Sequence, residues 1–186
     1  MIPIHTVFGG LLILFALIGS LRGWAKEIIV AFSVILALFV EHVLVTFVPP
    51  VTALFDNMAP RSQFYTRAIL FILITLFGYA SPSIASQLGA KVARERLQDL
   101  LLGFFLGLLN GFLVVGTLLS FLNAVGFGAP ADQPGAGGVG GIVPPAPDST
   151  SANLMAFLPP ELIKQSNAML YIAVAAAFVF VIIVFI

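Results

Sequence analysis

Long apolar runs alternate with short polar stretches along the chain. The run from Leu100 to Leu122 contains no charged residue. At about 1.5 Å per residue, a helix of this length extends roughly 35 Å, which is enough to cross a hydrocarbon core of about 30 Å with some tilt. Further runs of this kind lie on both sides of it, so the pattern predicts an all-α, polytopic transmembrane protein.

Five membrane spans are predicted, with polar or Gly/Pro-rich stretches between them. The spans are Thr6–Leu21, Ile28–Val48, Arg67 to about Leu88, Leu100–Leu122 and Ala168–Ile186. Pro49 and Pro50 end the second span, and Val51–Thr66 is predicted to be a polar connection.

The spans divide the chain into four parts. Residues 1–123 form a four-span core, and residues 124–153, crowded with Gly and Pro, form a flexible linker. Residues 154–167 mix apolar and charged positions, as an interfacial segment does. Residues 168–186 form the additional C-terminal transmembrane helix.

Small residues recur every fourth position on two of the spans. One face carries Gly103, Gly107 and Gly111, and the other carries Ser81, Ala85 and Gly89. Small side chains let helix backbones approach closely, which favours packing in lipid. Both sets are therefore predicted helix-packing faces, and the second set is a candidate partner for the first.

Composition narrows the class of protein. Hydrophobic residues make up 60% of the chain and charged residues 9%, which excludes an ordinary soluble domain. Basic and acidic residues balance at 8 each, so nothing favours nucleic acid as a partner. Cysteine is absent, which removes disulfides, thiolate metal sites and cysteine nucleophiles.

Basic residues set the predicted orientation. The first and third connections hold five of them over short lengths, and the second and fourth hold three over longer lengths. The positive-inside rule then puts the N-terminus outside and, after five spans, the C-terminus inside.

Three ionisable residues lie inside or at the edge of predicted spans. They are Glu41, His42 and Arg67. Ionisable groups at membrane depth are costly and are often functional, but a tilted helix also brings such residues to the interface. Both interpretations stay open, and a buried Glu41 is expected to pair with Arg67 or Arg61, or to be protonated beside His42.

The first turn concentrates polar chemistry between two spans. Gly19 and Gly23 permit a tight bend, and Trp24 suits the membrane interface. Arg22 and Lys26 suit lipid phosphate, and Glu27 is near enough to Arg22 for a pair across the turn.

Two stretches resemble the signatures of the colicin V production protein family. The first is Leu21–Glu27, with Arg-Gly, an aromatic residue, and then a basic residue and Glu. The second is Asp99–Gly111, an Asp followed by Gly at four-residue intervals. The resemblance implies a bacterial cytoplasmic-membrane protein linked to production or export of a bacteriocin, a toxin-biosynthesis role.

Three positions depart from the family pattern. His5 stands where members often carry an acidic residue, and Leu100 replaces the Arg that usually follows the Asp. Asn110 stands where a basic residue is common, before the third Gly.

The sequence favours a non-enzymatic function. His5 and His42 lie on different spans without metal-ligand spacing, and no catalytic residue, cofactor or metal is predicted. The first hypothesis is a scaffold or accessory subunit that packs against other membrane-protein subunits or against itself within the lipid bilayer. The alternative is a transport, channel or secretion component with a polar path near Glu41, His42 and Arg67, and a lipid-acting enzyme is the weakest of the three.

Overall fold

The computed structural model describes residues 2–80, 96–128, 139, 142, 144–165, 168, 170–176 and 179. These residues form helices and turns, with no strand among them. The helices are α1 (Ile4–Arg22), α2 (Trp24–Phe47), α3 (Pro49–Asp56), α4 (Pro60–Tyr79), α5 (Arg96–Ala124), a 3-10 turn (Gly126–Gly128), α6 (Thr150–Met155) and α7 (Pro159–Gln165).

Four of these helices, α1, α2, α4 and α5, are long and apolar enough to cross a membrane. For the described residues, the predictions of an all-α chain and of four apolar helices of spanning length in its N-terminal part are therefore confirmed. The predicted end of the third span, beyond residue 80, lies outside the described residues. Residues 170–176 are also helical, but most of the rest of Ala168–Ile186 lies outside the described residues. The fifth span stays a prediction.

The connection predicted at Val51–Thr66 is wrong, because most of it is helical. Pro50 lies in the first turn of α3, and α4 begins at Pro60 instead of Arg67. Proline suits the first turn of a helix, since its fixed φ is helical and its missing N–H would have no partner there. Hydropathy did not predict this helix start, because the residues that follow Pro60 are polar.

The backbones of α1 and α5 touch along a glycine face. A Cβ added to Gly19 would meet the carbonyl oxygen of Gly103 and lie 2.6 Å from the Cα of Gly107. A Cβ on Gly107 would meet the carbonyl oxygen of Phe15, and one on Gly111 would lie 2.7 Å from the Cβ of Phe15. In these positions α1 covers the face, while Ser81, Ala85 and Gly89 lie outside the described residues.

The main core lies where α2 packs against α4 and α5. Its fully buried members include Val30, Val34 and Phe71. The rings of Phe71 and Phe121 meet edge to face with centroids 5.9 Å apart. Leu170 joins the same cluster, so the described part of the C-terminal segment packs against the bundle.

A second apolar cluster lies where α1 begins and α5 ends. It joins Phe8 and Leu122 of these helices to Met155 and Leu158. Two hydrogen-bonded pairs secure α6 and α7 there: His5 Nδ1 lies 2.9 Å from Ser151 Oγ, and Ser120 Oγ donates to Glu161 Oε1 at 3.2 Å.

The glycine contact yields a matched pair of substitutions. Gly107→Ala places a methyl group against the α1 backbone and is expected to destabilise the protein by about 1–3 kcal/mol. Gly10→Ala adds the same group to α1 where nothing lies within 4 Å, and should leave stability unchanged or raise it slightly. Denaturant titration of helix content in one detergent compares them, and equal stability of the two variants would contradict this contact.

Candidate functional site

The turn between α1 and α2 depends on Gly23. Its φ of 84° lies in the region that favours glycine, and its N–H donates to the carbonyl oxygen of Gly19 at 3.0 Å. Gly23 has no side chain to cap α2. Instead, Asp99 Oδ1 of α5 accepts a hydrogen bond from the Trp24 N–H at 3.0 Å. A Cβ on Gly23 would lie 2.9 Å from both carboxylate oxygens of Asp99. This position therefore requires glycine for two reasons, its positive φ and the close approach of Asp99.

Glu27 is a buried acid in the first turn of α2, with 1% of its surface exposed. Arg22 Nη1, at the end of α1, donates to Glu27 Oε1 at 2.9 Å. A carboxylate in the first turn of a helix also interacts favourably with the helix dipole. The turn therefore folds the two charges, five positions apart in sequence, into one ion pair.

Asn110 of α5 supplies further hydrogen bonds to Glu27. It is fully buried, and its Nδ2 donates to both the backbone oxygen and Oε2 of Glu27, each at 2.8 Å. A carboxylate only accepts hydrogen bonds, so the amide must present its nitrogen here. Both carboxylate oxygens of Glu27 are thus bonded, which offsets the high cost of burying the charge.

Tyr79, the last residue of α4, brings the fourth long helix into contact with this ion pair. The Arg22 guanidinium carbon lies 4.4 Å from the centroid of the Tyr79 ring, a cation–π geometry. We call Arg22, Glu27, Tyr79 and Asn110 the Glu27 cluster. Its members come from α1, α2, α4 and α5, one from each helix, so this cluster connects the whole bundle.

A second polar contact lies between α2 and α4. Arg67 Nε and Glu41 Oε1 are 3.4 Å apart, with 21% and 15% of their side chains exposed. The Arg67 guanidinium also faces the rings of Phe55 and Phe121, at 5.4 and 5.8 Å. His42 lies on another side of α2, where its ring meets those of Phe47 and Tyr171 edge to face.

The residues of the two family signatures meet in space. Gly19, Arg22, Gly23, Trp24 and Glu27 surround the first turn, and Asp99, Gly103 and Gly107 approach it from α5. Lys26 is exposed.

Sequence reasoning missed the roles of Asn110 and Tyr79 as partners of this turn. The role of Asn110 could have been predicted, because it is an amide in the middle of a charge-free span, where a polar side chain needs a partner. Nothing in the sequence around Tyr79 indicated its role.

The cluster as a whole neutralises a carboxylate and holds helices together. Within the described parts of the chain, no three His, Cys, Asp or Glu side chains gather as metal ligands do.

The fold and this turn define a polytopic helical membrane protein whose spans are joined by a buried polar cluster. Residues 4–134 match the family model for the colicin V production protein, and the chain belongs to that family. The resemblance read from Leu21–Glu27 and Asp99–Gly111 is thereby confirmed. Comparison with curated proteins gives no match, and comparison with solved structures gives none either.

The Glu27 cluster predicts a specific pattern of stability changes. Arg22→Met leaves the Glu27 charge buried without its cation and is expected to cost about 3–5 kcal/mol of unfolding free energy. Adding Glu27→Leu removes the stranded charge, so the double variant should recover part of that loss. Lys26→Met is the control, because it removes an exposed cation from the same turn and should change stability by less than about 1 kcal/mol.

Denaturant titrations of the four proteins in one detergent give the required free energies. Equal losses for the single and double variants would contradict the pairing of Arg22 with Glu27. A loss for Lys26→Met as large as that for Arg22→Met would contradict it too.

Proposed function

We propose that this protein is a non-enzymatic scaffold or accessory subunit of a membrane assembly. The observation that carries the proposal is the Glu27 cluster, in which side chains from four helices contact one another and both carboxylate oxygens of Glu27 are hydrogen-bonded. This arrangement supports a rigid frame, since it fixes helix positions and gives both oxygens of the buried carboxylate a partner within the protein.

The outer faces of the bundle support the same proposal. Large apolar side chains are exposed on all four long helices, among them Leu14 and Leu17 on α1, Leu36 and Phe47 on α2, Leu73 and Phe77 on α4, and Leu101 and Phe105 on α5. Such faces suit lipid and other transmembrane helices, which associate through close packing instead of the hydrophobic effect. The proposed partners are other membrane-protein subunits or further copies of this chain.

We further propose the bacterial cytoplasmic membrane as the location, with the N-terminus outside and the C-terminus inside. Family membership supports a role in production or export of a bacteriocin. The distribution of basic residues between the connections supports the orientation.

Affinity purification from native membranes in mild detergent tests the scaffold. We expect stoichiometric partner subunits or a defined homo-oligomer, identified by mass spectrometry and particle sizing. Arg22→Met should reduce partner recovery severalfold because it loosens the frame, by the same ~3–5 kcal/mol argument, while Lys26→Met should not. A lone monomer without a specific partner would overturn the proposal.

A transport component is the second candidate, and the Glu41–Arg67 contact favours it. Both residues belong to helices capable of crossing a membrane, and both side chains keep some exposure. A titratable carboxylate on a membrane-spanning helix is a feature of proton pathways.

Proton flux into proteoliposomes, followed with an enclosed pH-sensitive dye under an imposed membrane potential, tests this candidate. Glu41→Gln removes the titratable group and should reduce the flux by about tenfold or more, the effect of losing a positioned proton-transfer group. Asp56→Asn is the control, because Asp56 is exposed at the end of α3. An unchanged flux in Glu41→Gln would exclude the transport role for this pair.

A further inference from the structure

A cavity of about 710 Å³ lies between the first half of α1, the last third of α5, Phe64 of α4, and the start of α6 with the residues that lead into it. Its walls include Val7 and Leu11 of α1, Val115 and Leu119 of α5, and Ile142 and Pro144. Among the described residues that line it, only Ser149 and Ser151 are polar and none is charged.

A space with this lining is expected to hold an apolar occupant. Water needs two or more polar partners to remain in a cavity, and apolar walls offer few. A void would forfeit dispersion contacts along the whole wall. The volume lies within the range of small-molecule sites, roughly 300–1,000 Å³.

The position of the cavity identifies the class of occupant. Two of its walls belong to α1 and α5, which are long and apolar enough to cross a membrane. Val7 and Ile142 line the cavity and are themselves 48% and 42% exposed, so the cavity reaches the protein surface. We propose that this cavity binds the hydrocarbon chain of a bilayer lipid.

Hydrogen bonds position the two serines that line the cavity at the start of α6. Ser151 Oγ lies 2.9 Å from His5 Nδ1 and accepts from the His5 backbone N–H at 3.3 Å. Ser149 Oγ caps α6 by accepting from the Ala152 N–H at 3.2 Å. The bonds between His5 and Ser151 hold the start of α6 against the start of α1, beside the cavity.

The lining also determines what the site recognises. None of the described residues that line the cavity is charged, so they have nothing to distinguish an anionic from a zwitterionic headgroup. Selection therefore rests on the chain, and binding should be insensitive to headgroup charge. This proposal stands apart from the scaffold and transport proposals, because it depends on neither the Glu27 cluster nor Glu41.

Photolabelling of the reconstituted full-length protein tests the site. The probe is phosphatidylcholine with a diazirine near the middle of one acyl chain, in vesicles of unlabelled phosphatidylcholine. We expect label on Val7, Leu11 and Leu119 that saturates with probe concentration. Leu119→Trp fills the cavity and should reduce this label about tenfold, because the larger ring occupies the space of the acyl chain.

Leu73→Trp is the matched control, since it adds the same bulk to an exposed face of α4 and should leave the cavity label unchanged. Val115→Ala widens the cavity without adding bulk and should keep or increase the label, so the test does not depend on a variant that fails to fold. Replacing phosphatidylcholine with phosphatidylglycerol should leave the label unchanged.

Three results would overturn the proposal. One is label on the cavity residues that never saturates and matches that on the exposed α4 face. Another is full label in Leu119→Trp. The third is a marked preference for one headgroup, which would assign recognition to groups other than this apolar lining.

Discussion

The carboxylate of Glu27 is the constraint on which the rest of this structure depends. A buried charge requires a cation and hydrogen-bond donors close by, and these must come from different helices because α2 alone cannot supply them. Arg22 reaches Glu27 only because the chain reverses at Gly23, and Asn110 reaches it only because α5 approaches the turn closely. The polar contacts thus specify the geometry of an otherwise apolar bundle, whose helix packing lacks the hydrophobic driving force available in water.

The glycines and the polar cluster depend on each other. Gly103 and Gly107 lie on α5 between Asp99 and Asn110, and they allow the first turn to rest directly on the helix backbone. A larger side chain there would lift the turn away from both of its polar partners. Close packing and hydrogen bonding are therefore two results of one arrangement of residues.

The sequence predicted the helical class, four of the spans and the family, because hydropathy over a span and local motifs need no knowledge of distant residues. Pairing between distant residues was harder to predict. Arg22 and Glu27 are near in sequence, so their contact was within reach, whereas Asn110 lies 83 positions from Glu27. The start of α4 was missed because the residues after Pro60 have the polar composition that is typical of a loop. The packing of α6 and α7 was missed because the Gly/Pro-rich composition before them suggested a tether.

The long sequence separation between these contacting residues has a consequence for how the protein is made. A ribosome delivers the N-terminal helices to the membrane first. Arg22 emerges just before Glu27, so the acid has a counter-ion from the moment its helix enters the bilayer. Asp99 and Asn110 arrive only after more than 70 further residues have been synthesised. Until then the first hairpin has neither its cap nor the second of its two donors, and it is an incomplete unit that the cell's insertion and proteolysis machinery encounters on its own.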